Sequence, residues 1–315
     1  MSPSLEAVGL TKRFGGFMAL DHLNLKVEGA KCMGFLGPNG AGKTTTLKMF
    51  TDLIFPTEGE AFINGISVQK DRKRAMGACG DLIETPEIYP SLTPREALEM
   101  SGALRGMRRD EIRARTAEVL SEVKMTEWTD HKVGRFSKGM KQRINIAAAL
   151  LSDPEVVILD EPSTGLDPRG MAEVRSIVRG LKRERRLIFM SSHILSEVVD
   201  VCDEVALLDR GKLLFADRLE NVAQRLGGGV RLMEAEFASD PDDAVVERSV
   251  ASLPGVAGWS RAGPRRFSVQ VKGGPVEQAA ILEQLVGLKL GLLSFHESRS
   301  ALEEVYLREI STGDA

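Results

Sequence analysis

Eight consecutive residues, Gly37-Pro38-Asn39-Gly40-Ala41-Gly42-Lys43-Thr44, constrain the fold of this 315-residue chain more than any other stretch. They fit the spacing G-x-x-x-x-G-K-[ST] and lie between an apolar run at 31–36, which reads as a buried strand, and a helical run at 43–50. Glycines at this spacing let successive backbone N–H groups turn inward around phosphate oxygens. The following helix adds the positive end of its dipole. Lys43 is then expected to reach the outer phosphates of a nucleotide, and the Thr44 hydroxyl to ligate Mg²⁺. Gly37, Pro38, Asn39, Gly40, Ala41, Gly42, Lys43, Thr44 and Thr45 together form the expected cradle.

The rest of the chain supplies a sheet to carry that loop. The runs 156–159, 187–190 and 205–208 are short, β-prone and continuously apolar, as parallel strands buried on both faces require. Helical patterns at 171–185 and 194–202 separate them, which predicts a parallel α/β sheet. Between about 94 and 152 the strand signal gives way to helical patterns at 94–104, 109–123 and 141–151, with Pro94 behind Thr93 as a start signal. Beyond Ala216 come a helical connector at 219–226 and the triplet Gly227-Gly228-Gly229. Strands at 231–238, 256–261, 266–272 and 288–295 and helices at 241–251, 275–286 and 299–310 follow, in the order of a split βαβ unit. The expected organisation is an α/β domain over 1–215, with a helical subdomain at about 88–152, and an accessory α+β domain over 216–315.

Composition excludes several classes. Forty-two Lys plus Arg against forty-five Asp plus Glu give a formal charge of −3, without the basic excess of a nucleic-acid wrapper. No apolar run approaches the roughly 18–20 residues that cross a bilayer, and the first residues, Met1-Ser2-Pro3-Ser4, lack a secretory pattern. Cys32, Cys79 and Cys202 are odd in number and widely spaced, so no disulfide framework and a reducing compartment are expected.

A phosphate loop also needs a carboxylate for the metal and a group to activate water. Asp160 and Glu161 follow the apolar run 156–159, at the carboxyl end of a strand, where open α/β sheets place ligands. Asp160 is suited to the Mg²⁺ shell and Glu161 to accepting a proton. Taken with Phe136-Ser137-Lys138-Gly139-Met140-Lys141-Gln142-Arg143, Ser163-Thr164-Gly165-Leu166-Asp167, Ser191-Ser192-His193 and Lys12-Arg13-Phe14, residues of about 5–215 resemble the ATP-binding cassette ATPases of ABC transporters. The first of these stretches resembles the signature usually written LSGGQ, the next the D-loop, then the His switch and the A-loop.

The resemblance implies a P-loop NTPase fold: a RecA-like parallel sheet with an antiparallel β subdomain and a helical insertion, plus the small C-terminal α+β domain. It implies ATP and Mg²⁺ as ligands. Phe14 would stack on adenine, and His193 would hold the γ-phosphate and orient water. Ser137 and Gly139 would face the nucleotide of a second cassette, with Asp167 touching across a homodimer. It also implies a separate ABC-2 type transmembrane permease, an export role at the cytoplasmic face of the membrane, and no nucleic-acid partner. One departure stands out: Glu84, within Gly80-Asp81-Leu82-Ile83-Glu84-Thr85-Pro86, occupies the place of the family's Gln. This acidic version resembles bacitracin-resistance and lantibiotic-immunity cassettes; Glu84 reads either as a further Mg²⁺ ligand or as a tolerated isostere. The cluster Ile88-Tyr89-Pro90 suits docking to a permease or ordinary packing, and 299–310 resembles the terminal helix of ABC-2 cassettes. Two alternatives stay open: a soluble ABC-type ATPase acting on ribosomes or DNA without a permease, and a nucleotide-binding regulator without turnover. The missing second cassette or coiled-coil insertion counts against the first, and the Asp160–Glu161 pair against the second.

Overall fold

The computed structural model describes residues 2–84, 87–182, 186–225 and 230–297. The chain divides into two compact units, Met1–Asp217 and Arg218–Ala315. In the first, the elements run β1 (Ser4–Phe14), β2 (Phe17–Glu28), β3 (Cys32–Leu36), α1 (Lys43–Phe50), β4 (Glu58–Ile63), β5 (Ile66–Ser67), α2 (Arg72–Gly77) and β6 (Cys79–Leu82). They continue with α3 (Pro94–Leu104), α4 (Arg109–Glu122), α5 (Lys138–Leu150), β7 (Val156–Leu159), α6 (Pro168–Lys182), β8 (Leu187–Ser192), α7 (Leu195–Val201), β9 (Glu204–Asp209) and β10 (Lys212–Arg218).

Two sheets share one core. The order β10-β9-β3-β8-β7-β6 makes a six-stranded sheet in which β9, β3, β8, β7 and β6 are parallel. Every residue of β3, β7 and β8 is buried, which is why these strands read as unbroken apolar runs. The second sheet, β2-β1-β4-β5, is antiparallel. Its Leu5, Leu10 and Leu20 pack into the same cluster as Phe35 and Phe189 of the first and Phe50 of α1. The Phe189 ring lies 5.2 Å from Phe35 and 5.9 Å from Phe50, centroid to centroid.

The helical insertion consists of α3, α4 and α5. Its entry is fixed by a capping box: the Thr93 hydroxyl accepts from the Glu96 N–H at 3.2 Å, and the Glu96 carboxylate accepts from the Thr93 N–H at 2.7 Å. Thr93→Ala should therefore cost about 1 kcal/mol, read as a lowered urea midpoint for Trp128 fluorescence in a Trp259→Phe background. Helix α5 begins three residues before the predicted 141, because Ser137 caps it, accepting from the Met140 N–H at 3.2 Å.

The second unit contains α8 (Leu219–Arg225), β11 (Val230–Phe237), α9 (Asp243–Ser249), β12 (Val256–Gly263), β13 (Arg266–Lys272), α10 (Pro275–Gly287) and β14 (Leu292–Glu297). Its sheet has the order β12-β13-β11-β14 with every pairing antiparallel, the arrangement of a split βαβ unit. Alternate residues Phe267, Val269 and Val271 of β13 meet Ile281 and Leu285 of α10 in a separate core. Strand β14 starts at 292 rather than the predicted 288, since Lys289 and Gly291 take positive φ in a turn after α10. The predicted helix at 299–310 and the Gly227–Gly229 triplet lie outside the described residues, as do Thr85 and Pro86.

All three cysteines are buried and free. Cys32 and Cys202, 170 residues apart in sequence, bring their sulfurs to 3.4 Å.

Candidate functional site

Strands β3, β8 and β7 are neighbours with parallel registers Leu36↔Ser192 and Leu159↔Met190, so their carboxyl ends open at one edge of the sheet. Each delivers a reactive loop there. After β3 the chain turns through Gly37–Gly42 into α1. The turn demands glycine: a Cβ on Gly37 would meet the Leu208 carbonyl oxygen at 2.2 Å, and one on Gly42, at φ 106°, the Ala19 carbonyl oxygen at 2.5 Å. Lys43 opens the helix and folds back into the loop. Its Nζ donates to the carbonyl oxygens of Gly37 at 2.8 Å and Pro38 at 3.1 Å, and only 4% of the residue is exposed.

After β7 come Asp160 and Glu161. The Thr44 hydroxyl donates to Asp160 Oδ1 at 3.2 Å, and the Ser191 hydroxyl to the same oxygen at 2.6 Å. Ser191 also accepts from the Glu161 N–H at 2.9 Å, so one hydroxyl aligns both acids. Glu161 sits at φ 43°, a strained backbone for a residue with a Cβ, as reactive positions often carry. Its carboxylate lies 3.4 Å from Lys43 Nζ, accepts from the Thr164 hydroxyl at 2.9 Å and meets His193 Nδ1 at 3.0 Å. Burial pushes the Glu161 carboxyl up, but the Thr164 hydroxyl, Lys43 and His193 outweigh it and hold the group below its usual range. Glu161 is therefore ionised at neutral pH.

Thr44 and Asp160 place a hydroxyl and a carboxylate side by side, a hard-oxygen donor set of the kind Mg²⁺ takes when phosphates and waters complete its shell. The Glu84 carboxylate is held by Lys48 Nζ at 2.5 Å. Among the described residues no three His, Cys, Asp or Glu side chains converge as a metal cluster.

A second cluster forms where α5 meets α6. Ser137 caps α5, Gly139 packs its Cα against Gly170, and Asp167 accepts from the Gly170 N–H at 3.1 Å. A cleft of about 400 Å³ opens here, lined in part by Ser137, Gly139, Arg143 and Asp167. No hydrogen bond or ion pair joins Ser137, Gly139 or Asp167 to the cluster around Lys43. Phe14 stands apart as well, at the tip of the β1–β2 hairpin, half exposed with Lys12 Nζ 5.1 Å from its ring centre.

Thr164 and Ser191 bond the Asp160–Glu161 pair, and Lys48 bonds Glu84, contacts that the sequence patterns did not assign. Ser191 and Thr164 lie inside quoted motifs but without a partner to name. Lys48 has one local signal, its place four residues after Thr44 on the same helix face.

The ABC transporter family model matches residues 20–164. The bacitracin transport ATP-binding protein BcrA of Bacillus licheniformis is 44% identical over 247 residues, 78% of each chain. The daunorubicin/doxorubicin resistance ATP-binding protein DrrA of Streptomyces peucetius is 31% identical over 307 residues, 96% of this chain and 91% of that one. A solved ATP-binding subunit of an ABC transporter, 28% identical, superposes with a TM-score of 0.62 over 70% of this chain and 92% of its own.

Proposed function

The chain belongs to the ATP-binding subunits of ABC transporters, a family of ATP-hydrolysing proteins, and from that premise we propose that two copies close around ATP and drive a separate ABC-2 type permease as an exporter. One observation carries the two-copy reading: the residues fall into two clusters that no hydrogen bond or ion pair connects. The cluster at Lys43, Thr44, Asp160, Glu161 and His193 has groups for the phosphates, the metal and the water. The cluster at Ser137, Gly139 and Asp167 presents a capped helix start, suited to an anion, beside a cleft whose lining includes none of the first cluster's residues. We read the two clusters as half-sites that meet on one nucleotide when a second copy lends one of them.

The roles follow from the chemistry. Backbone N–H groups of the loop between Asn39 and Thr45 and the Lys43 ammonium bind the phosphates, while Pro38, which has no N–H, shapes the turn. Thr44 and Asp160 would hold Mg²⁺, which would neutralise charge on the phosphate oxygens. Glu161 takes the proton of the attacking water, and His193, already bonded to Glu161, holds that water and the γ-phosphate in line. Ser137, Gly139 and Asp167 act on the other copy's nucleotide, and Phe14 stacks on adenine. The names of the two relatives, bacitracin transport and daunorubicin/doxorubicin resistance, favour an exported cargo. No described helix is long and apolar enough to cross a membrane, in keeping with peripheral attachment to a permease at its cytoplasmic face. The unit Arg218–Ala315 holds none of these residues and is assigned an accessory role.

Light scattering tests the closure. With Mg²⁺ and ATP, the Glu161→Gln chain should double in mass, and adding Ser137→Ala should return it to the single-chain value. A single-chain mass for Glu161→Gln at saturating ATP would contradict the proposal. Co-purification of the tagged chain with a membrane protein of the permease type tests the export arm.

A further inference from the structure

The hairpin that carries Phe14 carries a second phenyl ring beside it. The two-residue loop Gly15-Gly16, with Gly15 at φ 57°, sets Phe14 directly opposite Phe17 across β1 and β2. Directly opposed residues of an antiparallel pair point to one face, with Cβ atoms about 4.5–5.5 Å apart. Phe14 is 51% and Phe17 64% exposed, and neither belongs to the core cluster beneath their sheet. Lys12 braces the tip: its ammonium lies 5.1 Å from the Phe14 ring centre and donates to the Phe55 carbonyl oxygen at 2.6 Å.

The register ties this tip to the phosphate loop. Lys12 pairs with Leu20 and Arg13 with Met18, so Ala19 is the extra residue of a β-bulge. Its carbonyl oxygen is the atom that a Cβ on Gly42 would meet at 2.5 Å, and one on Gly211 at 3.0 Å. Phe17 lies two residues along β2 from that contact, about 7 Å at the rise of a strand. A nucleotide with its phosphates in the loop therefore has its base in reach of the tip. One phenyl ring covers a single six-membered ring. Two side by side make a longer apolar strip, which the fused rings of a purine fill and a pyrimidine does not.

We propose that Phe17 selects purine nucleotides: Phe14 stacks on the base, and Phe17 meets the part of a purine that a pyrimidine lacks. The pair reads ring size and no exocyclic group, so ATP and GTP gain alike from it. This rests on the reading of Phe14 as the stacking residue, but not on closure of two copies.

Isothermal titration of the full chain in EDTA, with ATP, GTP, CTP and inorganic tripolyphosphate as ligands, tests it. Phe17→Ala should weaken ATP and GTP binding about tenfold, the scale of one lost base–aromatic contact, and weaken CTP little. Tripolyphosphate, which has no base, should bind as to wild type, and Phe17→Tyr should restore ATP. Equal losses for ATP and CTP, a loss that extends to tripolyphosphate, or no loss at all would each overturn the proposal. Phe14→Ala checks the reading beneath it, and should weaken every nucleotide while sparing tripolyphosphate. If it weakens none, the base does not lie on the hairpin and both readings fall. If it weakens them and Phe17→Ala does not, the role of Phe17 alone is refuted.

Discussion

Glu161→Gln should abolish most ATP hydrolysis, by about 10²- to 10⁴-fold, while leaving ATP binding intact or tighter. The amide keeps the size of the carboxylate and still accepts from the Thr164 hydroxyl, so the loop after β7 need not move. What disappears is the one ionised oxygen pair facing the site beside His193. The carboxyl is held below its usual range, so the wild-type group is already unprotonated at neutral pH and a loss of rate there reports the missing base. Loss of the negative charge also frees Lys43, now 3.4 Å from Glu161, to engage phosphate fully. Steady-state phosphate release against equilibrium ATP binding checks both halves. A variant that hydrolyses ATP at the wild-type rate would remove Glu161 as the base.

Lys43→Ala should fail one step earlier, at binding. The Lys43 ammonium is almost fully buried and satisfied by two loop carbonyls, so its position is set before any ligand arrives. A preset cation loses little entropy on meeting phosphate. Its removal costs a charge-assisted hydrogen bond of about 1.5–3 kcal/mol, or about 10- to 100-fold in ATP affinity. Isothermal titration with ATP in EDTA measures this without the metal. An affinity equal to wild type would show that the backbone N–H groups alone hold the phosphates. The two variants therefore separate: Glu161→Gln binds without turnover, and Lys43→Ala scarcely binds.

Much of this site was readable because its parts are local. The loop Gly37–Thr44 needs its glycines for reasons internal to eight residues, and the 2.2 Å and 2.5 Å approaches at Gly37 and Gly42 confirm the steric demand. The run Val156–Leu159 ends in Asp160 and Glu161 because a doubly covered parallel strand must be apolar until it leaves the sheet. What was not readable is pairing across the chain. Ser191 meets Asp160 over 31 residues and Lys48 meets Glu84 over 36, and only the register of β8 with its neighbours and the course of the loop after β6 bring them together. Helix α5 starts before its apolar pattern does because Gly139 is a weak helix former near its start, while the Ser137 cap that begins it is a single hydroxyl. The Glu84 position could be marked as unusual from its residue type, but its partner lies on another element.

The central claim is that each copy supplies the half of the site that the other lacks, and mixing two defective chains tests it most directly. Lys43→Ala loses its own nucleotide but keeps Ser137; Ser137→Ala keeps Lys43 but has nothing to lend. Each alone should be nearly inactive. Mixed in equal amounts, they should regain ATP hydrolysis, because one of the two pockets in a mixed pair is then built from unaltered residues. Hydrolysis that stays at the sum of the two separate preparations, with both chains folded and present together, would contradict the account.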